Sequence, residues 1–169
     1  MVEEYKLLTE AYDGGQLDHQ EYKAKAFGTG LYVTISRLMI SIPYENHIIE
    51  LVNEFGLSNT AKVEMKIQNG TIPDFEISNR SHLMNLFSIN KQYLIVKSNN
   101  AQTKLFLEKA LDISGMKTIA KENLFEPKIK TERIDGSLFI KTEYHLQLTD
   151  KIGAAKALID FHIEIIDNL

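Results

Sequence analysis

Ser114-Gly115-Met116-Lys117 has the S-x-x-K spacing in which a lysine amine can take the proton of a serine nucleophile. Nine serines and sixteen lysines in 169 residues produce about one such match by chance. The supporting K-T-G is missing; the nearest string is Lys141-Thr142-Glu143, and Ser98-Asn99-Asn100 precedes the serine instead of following it. A helix-breaking Ser-Gly pair is the better reading. Gly28-Thr29-Gly30 opens like G-x-G-x-x-G, but position 33 is valine and a strand pattern follows. Without a helix N-terminus behind it, the phosphate-binding rationale is lost, and a plain turn remains.

The five histidines are His19, His47, His82, His145 and His162. His47, Glu50 and Glu54 share a helix face if Glu45 to Phe55 is helical, and two such ligands can begin a metal site. A third ligand and the H-E-x-x-H pattern are lacking, so a solvated helix face is preferred. His162-Ile163-Glu164 has the H-x-E form of zinc deaminases, which also need cysteine ligands, and the chain has no cysteine. His162 falls on an apolar stripe and reads as a neutral, hydrogen-bonded core histidine. Asn69-Gly70-Thr71 and Asn79-Arg80-Ser81 are formal glycosylation sequons without a secretory signal to give them meaning.

The candidate binding surface comes from a hairpin. Asp135-Gly136 lies between two alternating runs and supplies the positive φ values of a type I′ turn. A two-residue turn sets Ile134 opposite Ser137, Thr131 opposite Ile140 and Ile129 opposite Thr142. One face then carries Ile129, Thr131, Leu138, Ile140, Thr142, Tyr144 and Leu146. The other gathers Lys128, Lys130, Lys141 and His145 among Glu126, Glu132 and Glu143, with Phe139 the apolar exception. Lys130 and Lys141 should face each other, a small electrostatic cost that can attract a carboxylate or phosphate. Mixed-sign charge on a wet sheet face more commonly serves only solvation. Lys128, Lys130, Lys141 and His145 are therefore the candidate ligand-binding residues; no catalytic residue, metal ligand or cofactor is assigned.

Several elements must position this face. Thr149-Asp150 offers an N-cap to a closing helix that runs to Leu169, with Ile152, Ala155, Ile159, His162, Ile166 and Leu169 at helical spacing and Leu158, Phe161 and Ile165 widening the stripe. The hairpin's apolar face is its expected cover. Val2 to Tyr12 reads as a short amphipathic helix with Tyr5, Leu8 and Tyr12 on one side, docked on this domain, on a second copy, or only loosely attached over residues 1–20. Glu21 to Phe27, Leu31 to Ile35 and Leu38 to Ile42 give two or three antiparallel strands with a polar break at Ser36-Arg37. Helix is expected over Glu45 to Phe55, with Gly56-Leu57 as a Schellman ending. Ala61 to Gln68 alternates as a strand, with Asn69-Gly70 turning it and Phe75-Glu76-Ile77 returning as its partner. Ser81 caps a helix to Phe87. Tyr93 to Val96 reads as a central two-sided strand, and Asn99 or Asn100 caps a helix to about Ile113 with Leu105, Phe106 and Leu111 inward. Met116 to Asn123 forms another short helix. Antiparallel hairpins with helices between and after them make a single α+β domain over 1–169.

Composition narrows the function classes. The chain has a net charge of −4 and sixteen lysines to three arginines, which argues against a nucleic-acid binder. Absence of cysteine excludes disulfides, thiolate metal sites and cysteine catalysis, and suits a reducing compartment such as the cytoplasm. No stretch reaches the apolar length of a membrane span, and the N-terminus lacks a signal peptide's apolar core.

Four features in order resemble a broad group of uncharacterised prokaryotic α+β domains found near membrane segments: Gly30-Leu31-Tyr32-Val33, Phe75-Glu76-Ile77, Tyr93 to Asn99 leading into a helix, and Asp135-Gly136-Ser137-Leu138 before a closing helix. The resemblance spans most of the chain beyond Gly28. It implies a membrane-proximal role and brings no activity or functional residue with it. The expectation is a non-enzymatic interaction or scaffold module whose partner is another protein or a second copy, engaged through the sheet face or the N-terminal helix. The alternative is a small-ligand binder or an enzyme whose site is assembled from residues distant in sequence.

Overall fold

The computed structural model describes residues 1–68, 72–79, 93–123 and 125–169. Among the described residues eight antiparallel strands form one sheet: β1 (Gln16–Lys25), β2 (Tyr32–Tyr44), β3 (His47–Phe55), β4 (Thr60–Ile67), β5 (Phe75–Asn79), β6 (Leu94–Ser98), β7 (Lys128–Ile134) and β8 (Ser137–His145). Their order is β1-β2-β3-β4-β8-β7-β5-β6. Four helices are described: α1 (Val2–Glu10), α2 (Ala101–Ile113), α3 (Met116–Glu122) and α4 (Lys151–Ile166). The fold is α+β, with the helices gathered on one face of the sheet. None of the described helices is long and apolar enough to cross a membrane.

The closing hairpin has the register its turn demands. Asp135 and Gly136 carry φ of 48° and 78°, and Ile134 pairs Ser137, Thr131 pairs Ile140, and Ile129 pairs Thr142. Ile129, Leu138, Ile140, Thr142 and Tyr144 are buried on the helix side. Asp150 caps α4 by accepting from the Gly153 amide at 2.7 Å, satisfying one of the orphan donors of the first turn. α4 is buried along most of its length because it meets α1, α2 and α3 as well as the sheet. Its backbone passes closest to β3 rather than to the hairpin, and Leu169 is exposed beyond its end.

The expected helix over Glu45 to Phe55 is instead β3. Glu45-Asn46 is a tight turn with Glu45 at φ 51°, and His47, Ile49, Leu51 and Asn53 alternate inward. Ile48, Leu51, Val52 and Phe55 match a helical period, while Ile49 and Leu51 match the alternation of a strand. Five apolar residues in nine positions cannot decide between periods, and β-branched Ile48, Ile49 and Val52 favour the strand once β2 and β4 pair both its edges. Gly56 is therefore no helix cap: it ends β3 at φ 127°, where a Cβ would sit 2.8 Å from the Thr34 carbonyl oxygen.

Four further expectations change. Ser36-Arg37 does not interrupt β2, because both residues are paired on both sides. Phe75-Glu76-Ile77 returns beside β6 and β7, not beside β4, whose second edge is taken by β8. Tyr93 to Val96 enters the edge strand β6 instead of a central one. Asn100 caps α2 by accepting from the Thr103 amide at 2.9 Å, but Leu105 is 68% exposed; Thr103, Leu107, Ala110 and Leu111 are the buried positions. The Asn69-Gly70 turn and the Ser81 to Phe87 helix lie outside the described residues.

Candidate functional site

The face turned away from the helices carries the candidate residues of β7 and β8. Cross-strand register sets Lys62, Glu143 and Lys128 in one row and Glu64, Lys141, Lys130 and Glu76 in the next. Lys130 and Lys141 face each other as the turn requires. Glu132 offsets their repulsion: its carboxylate lies 3.4 Å from the Lys130 Nζ and 3.6 Å from the Lys141 Nζ. Lys130 and then Lys141 hold the Glu132 carboxyl below the usual carboxylate range. Lys141 also meets Glu64 at 3.6 Å, and Lys62 meets Glu143 at 3.4 Å. Exposed pairs of this kind contribute at most about 1 kcal/mol each.

Lys128, Lys130 and Lys141 line one open hollow of about 180 Å³ together with Lys62, Glu64, Glu132 and Glu143. His145 stands apart at the end of β8, in a neighbouring hollow of about 340 Å³ that it shares with Lys128 and Glu126. An anion entering the first hollow would have to displace the glutamates that already hold Lys62, Lys130 and Lys141. Phe139 is half-buried on this face, with the Lys141 ammonium 5.7 Å from its ring centre.

The other sequence candidates disperse. Ser114 donates its hydroxyl to the Ala110 carbonyl at 2.8 Å, while Lys117 pairs with Asp112 at 2.7 Å, so the two do not form a nucleophile–base couple. His47 points into the helix side of β3 and Glu50 to the opposite face, which separates the presumed ligand pair. Glu54 accepts from Ser58 and Tyr22. Among the described residues no three His, Asp or Glu converge. His162 is fully buried; its Nδ1–H donates to the Leu158 carbonyl at 2.7 Å, and desolvation pushes its pKa down to about 4 against the opposing pull of that carbonyl.

Two features escape a reading by motif. The first is polar: Asn53, Thr142, Tyr5 and Tyr144 are buried in the core, and their amide or hydroxyl atoms meet no partner among the described residues. Burial pushes the Tyr5 and Tyr144 hydroxyls well above their ordinary range. Tyr144 also packs edge-on against Phe125 at 5.1 Å.

The second is a protruding β-ribbon. β3 ends at Phe55 opposite Ser36, so among the described residues Tyr32 to Ile35 pair only with Tyr22 to Lys25 of β1. The Tyr22 side chain lies on the face of Ile35, and its hydroxyl reaches Glu54 at 3.4 Å. Ala26 donates to the Leu31 carbonyl at 2.8 Å to close the tip. Phe27 on that tip is fully exposed, Leu31 is 69% exposed and Tyr32 70% exposed. The sequence signal was the Gly-Thr-Gly turn flanked by Phe27 and by Leu31-Tyr32, where apolar residues border a loop that has nothing to bury them.

No protein-family model, curated protein sequence or solved structure matches this chain, so no residue role passes to it from another protein.

Proposed function

We propose that this domain is a non-enzymatic protein-interaction module that engages its partner through the β1–β2 ribbon. The supporting observation is the cluster of Phe27, Leu31 and Tyr32 held in solvent on a strand pair that projects past β3. Exposed apolar groups grouped on a projecting element mark contact surfaces rather than core. The ribbon has a stronger claim than the two surfaces suggested by sequence: Phe139 is half-buried, and α1 turns Tyr5 and Leu8 into its own domain's core. The cysteine-free composition favours a reducing compartment, and we place the protein in the cytoplasm.

The test is site-specific photo-crosslinking in cells. A photoreactive phenylalanine analogue at Phe27 should give protein adducts that the same analogue at exposed Leu105 does not. Equal yields at both positions, together with a melting-temperature rise in a small-metabolite panel, would reverse the reading in favour of a ligand-binding protein or enzyme.

A further inference from the structure

β1 is an edge strand of ten residues, and no described strand pairs with its outer side. The Ala26–Leu31 hydrogen bond fixes which residues face outward. Hydrogen-bonded and non-hydrogen-bonded pairs alternate along an antiparallel ladder, and the β1–β2 register runs without a bulge. Even-numbered residues of β1 therefore bond to β2. Leu17, His19, Glu21, Lys23 and Lys25 turn their amides and carbonyls to the open edge.

We infer that this edge pairs with the β1 edge of a second copy, antiparallel about a two-fold axis at Tyr22. The inference names the partner of the ribbon and rests on the interaction reading above. The opposite charges of Glu21 and Lys23 on either side of Tyr22 carry it; Asp18 falls opposite Ala26 and Lys25 opposite His19. About an axis at Tyr22, Glu21 faces Lys23 of the second copy and Lys23 faces its Glu21. These are the outward-bonding positions, so each charge pair sits on a hydrogen-bonded rung. Tyr22 faces Tyr22 on the closer, non-hydrogen-bonded rung, and Gln20 faces Ala24. Phe27 comes into line with Leu17 of the second copy.

Shifting the axis to Glu21 sets Glu21 against Glu21 and leaves no Glu–Lys rung; shifting it to Lys23 keeps two Glu21–Lys25 rungs but sets Lys23 directly against Lys23, which is destabilising. An axis at Gln20 sets Lys23 against Leu17 and removes both Glu–Lys rungs. Charged side chains on an edge strand ordinarily repel strand addition. Here the same charges favour the one register that has two Glu–Lys rungs and no Lys–Lys or Glu–Glu rung, which is specificity by mismatch.

Sedimentation and thiol crosslinking test this. The chain has no cysteine, so any disulfide in a single-cysteine variant joins two copies. Tyr22→Cys should oxidise to a covalent dimer well ahead of Gln20→Cys and of Lys66→Cys on the open sheet face. Glu21→Lys and Lys23→Glu should each weaken the dimer about tenfold or more, and the double exchange should restore it. A wild-type protein that sediments as a monomer at ~100 µM overturns the inference. Faster crosslinking at Gln20, or a dimer indifferent to both charge reversals, overturns it too. Crosslinks from Phe27 to other proteins alongside a monomeric chain would retain the interaction module and remove the self-pairing.

Discussion

His162 makes the fold sensitive to acid in a way that one substitution can isolate. Its imidazole is buried in α4, with Nδ1 occupied by the Leu158 carbonyl and Nε2 without a partner among the described residues. A second proton would place a charge at Nε2 with nothing to receive it, which is why the pKa is pushed down to about 4 from an ordinary 6.5. The folded-state pKa lies below the unfolded one, so the unfolded chain binds the proton first. Above about pH 6.5 His162 adds no pH dependence; from there down to about pH 4 each unit costs about 1.4 kcal/mol. The accumulated loss by pH 4 is about 3 kcal/mol, a large part of the net stability of an ordinary domain. Urea unfolding from pH 7 to pH 4 should show this loss in the wild type relative to His162→Leu, in which no proton can bind at 162. Acidic groups that titrate in both proteins cancel in the difference. Parallel stability curves for the two proteins would refute the reasoning, because they would mean His162 binds its proton equally well folded and unfolded.

Two further substitutions test the packing. Ile159→Asp puts a carboxylate into a fully buried position of α4 and should cost several kcal/mol; an unchanged thermal transition would show that α4 is not part of the core. Gly56→Ala brings a methyl group to 2.8 Å from the Thr34 carbonyl oxygen at a backbone φ of 127°, and should lower stability by about 1–3 kcal/mol, visible as an earlier urea midpoint. A wild-type midpoint would show that the β2–β3 contact yields without strain.

The readable parts of the fold were those fixed by local chemistry. Asp135-Gly136 dictates its turn, the turn dictates the register, and the register sets Lys130 against Lys141 before any tertiary information enters. Asp150 and Asn100 announce their helices because a carboxylate or amide can reach the third amide beyond it. The unreadable parts depended on neighbours distant in sequence. β3 has nine residues whose apolar positions fit both periods, and only its pairing with β2 and β4 selects the strand. β6 is as apolar as a central strand yet lies at the edge, since its inner face is covered by α2. The candidate face was legible in composition and facing but not in pairing: Glu64 and Lys62 arrive from β4, about eighty residues earlier in the chain. The two strands and the turn of the ribbon were legible, but its projection was not, because it depends on where β3 ends, and Phe27, Leu31 and Tyr32 carry no chemistry that marks them as exposed.

The strand order carries one more consequence. β8 and β7 lie between β4 and β5, so a hairpin formed late in the chain joins two groups of strands synthesised long before it. A ribosome-bound chain that has not yet emitted Lys128 can fold neither group into its final neighbourhood, and both raw margins stay open to wrong pairing. Closing them requires contacts across nearly half the molecule, the kind of long-range assembly that slows a search. The hairpin acts as a keystone: acquisition of the native state is gated by its arrival.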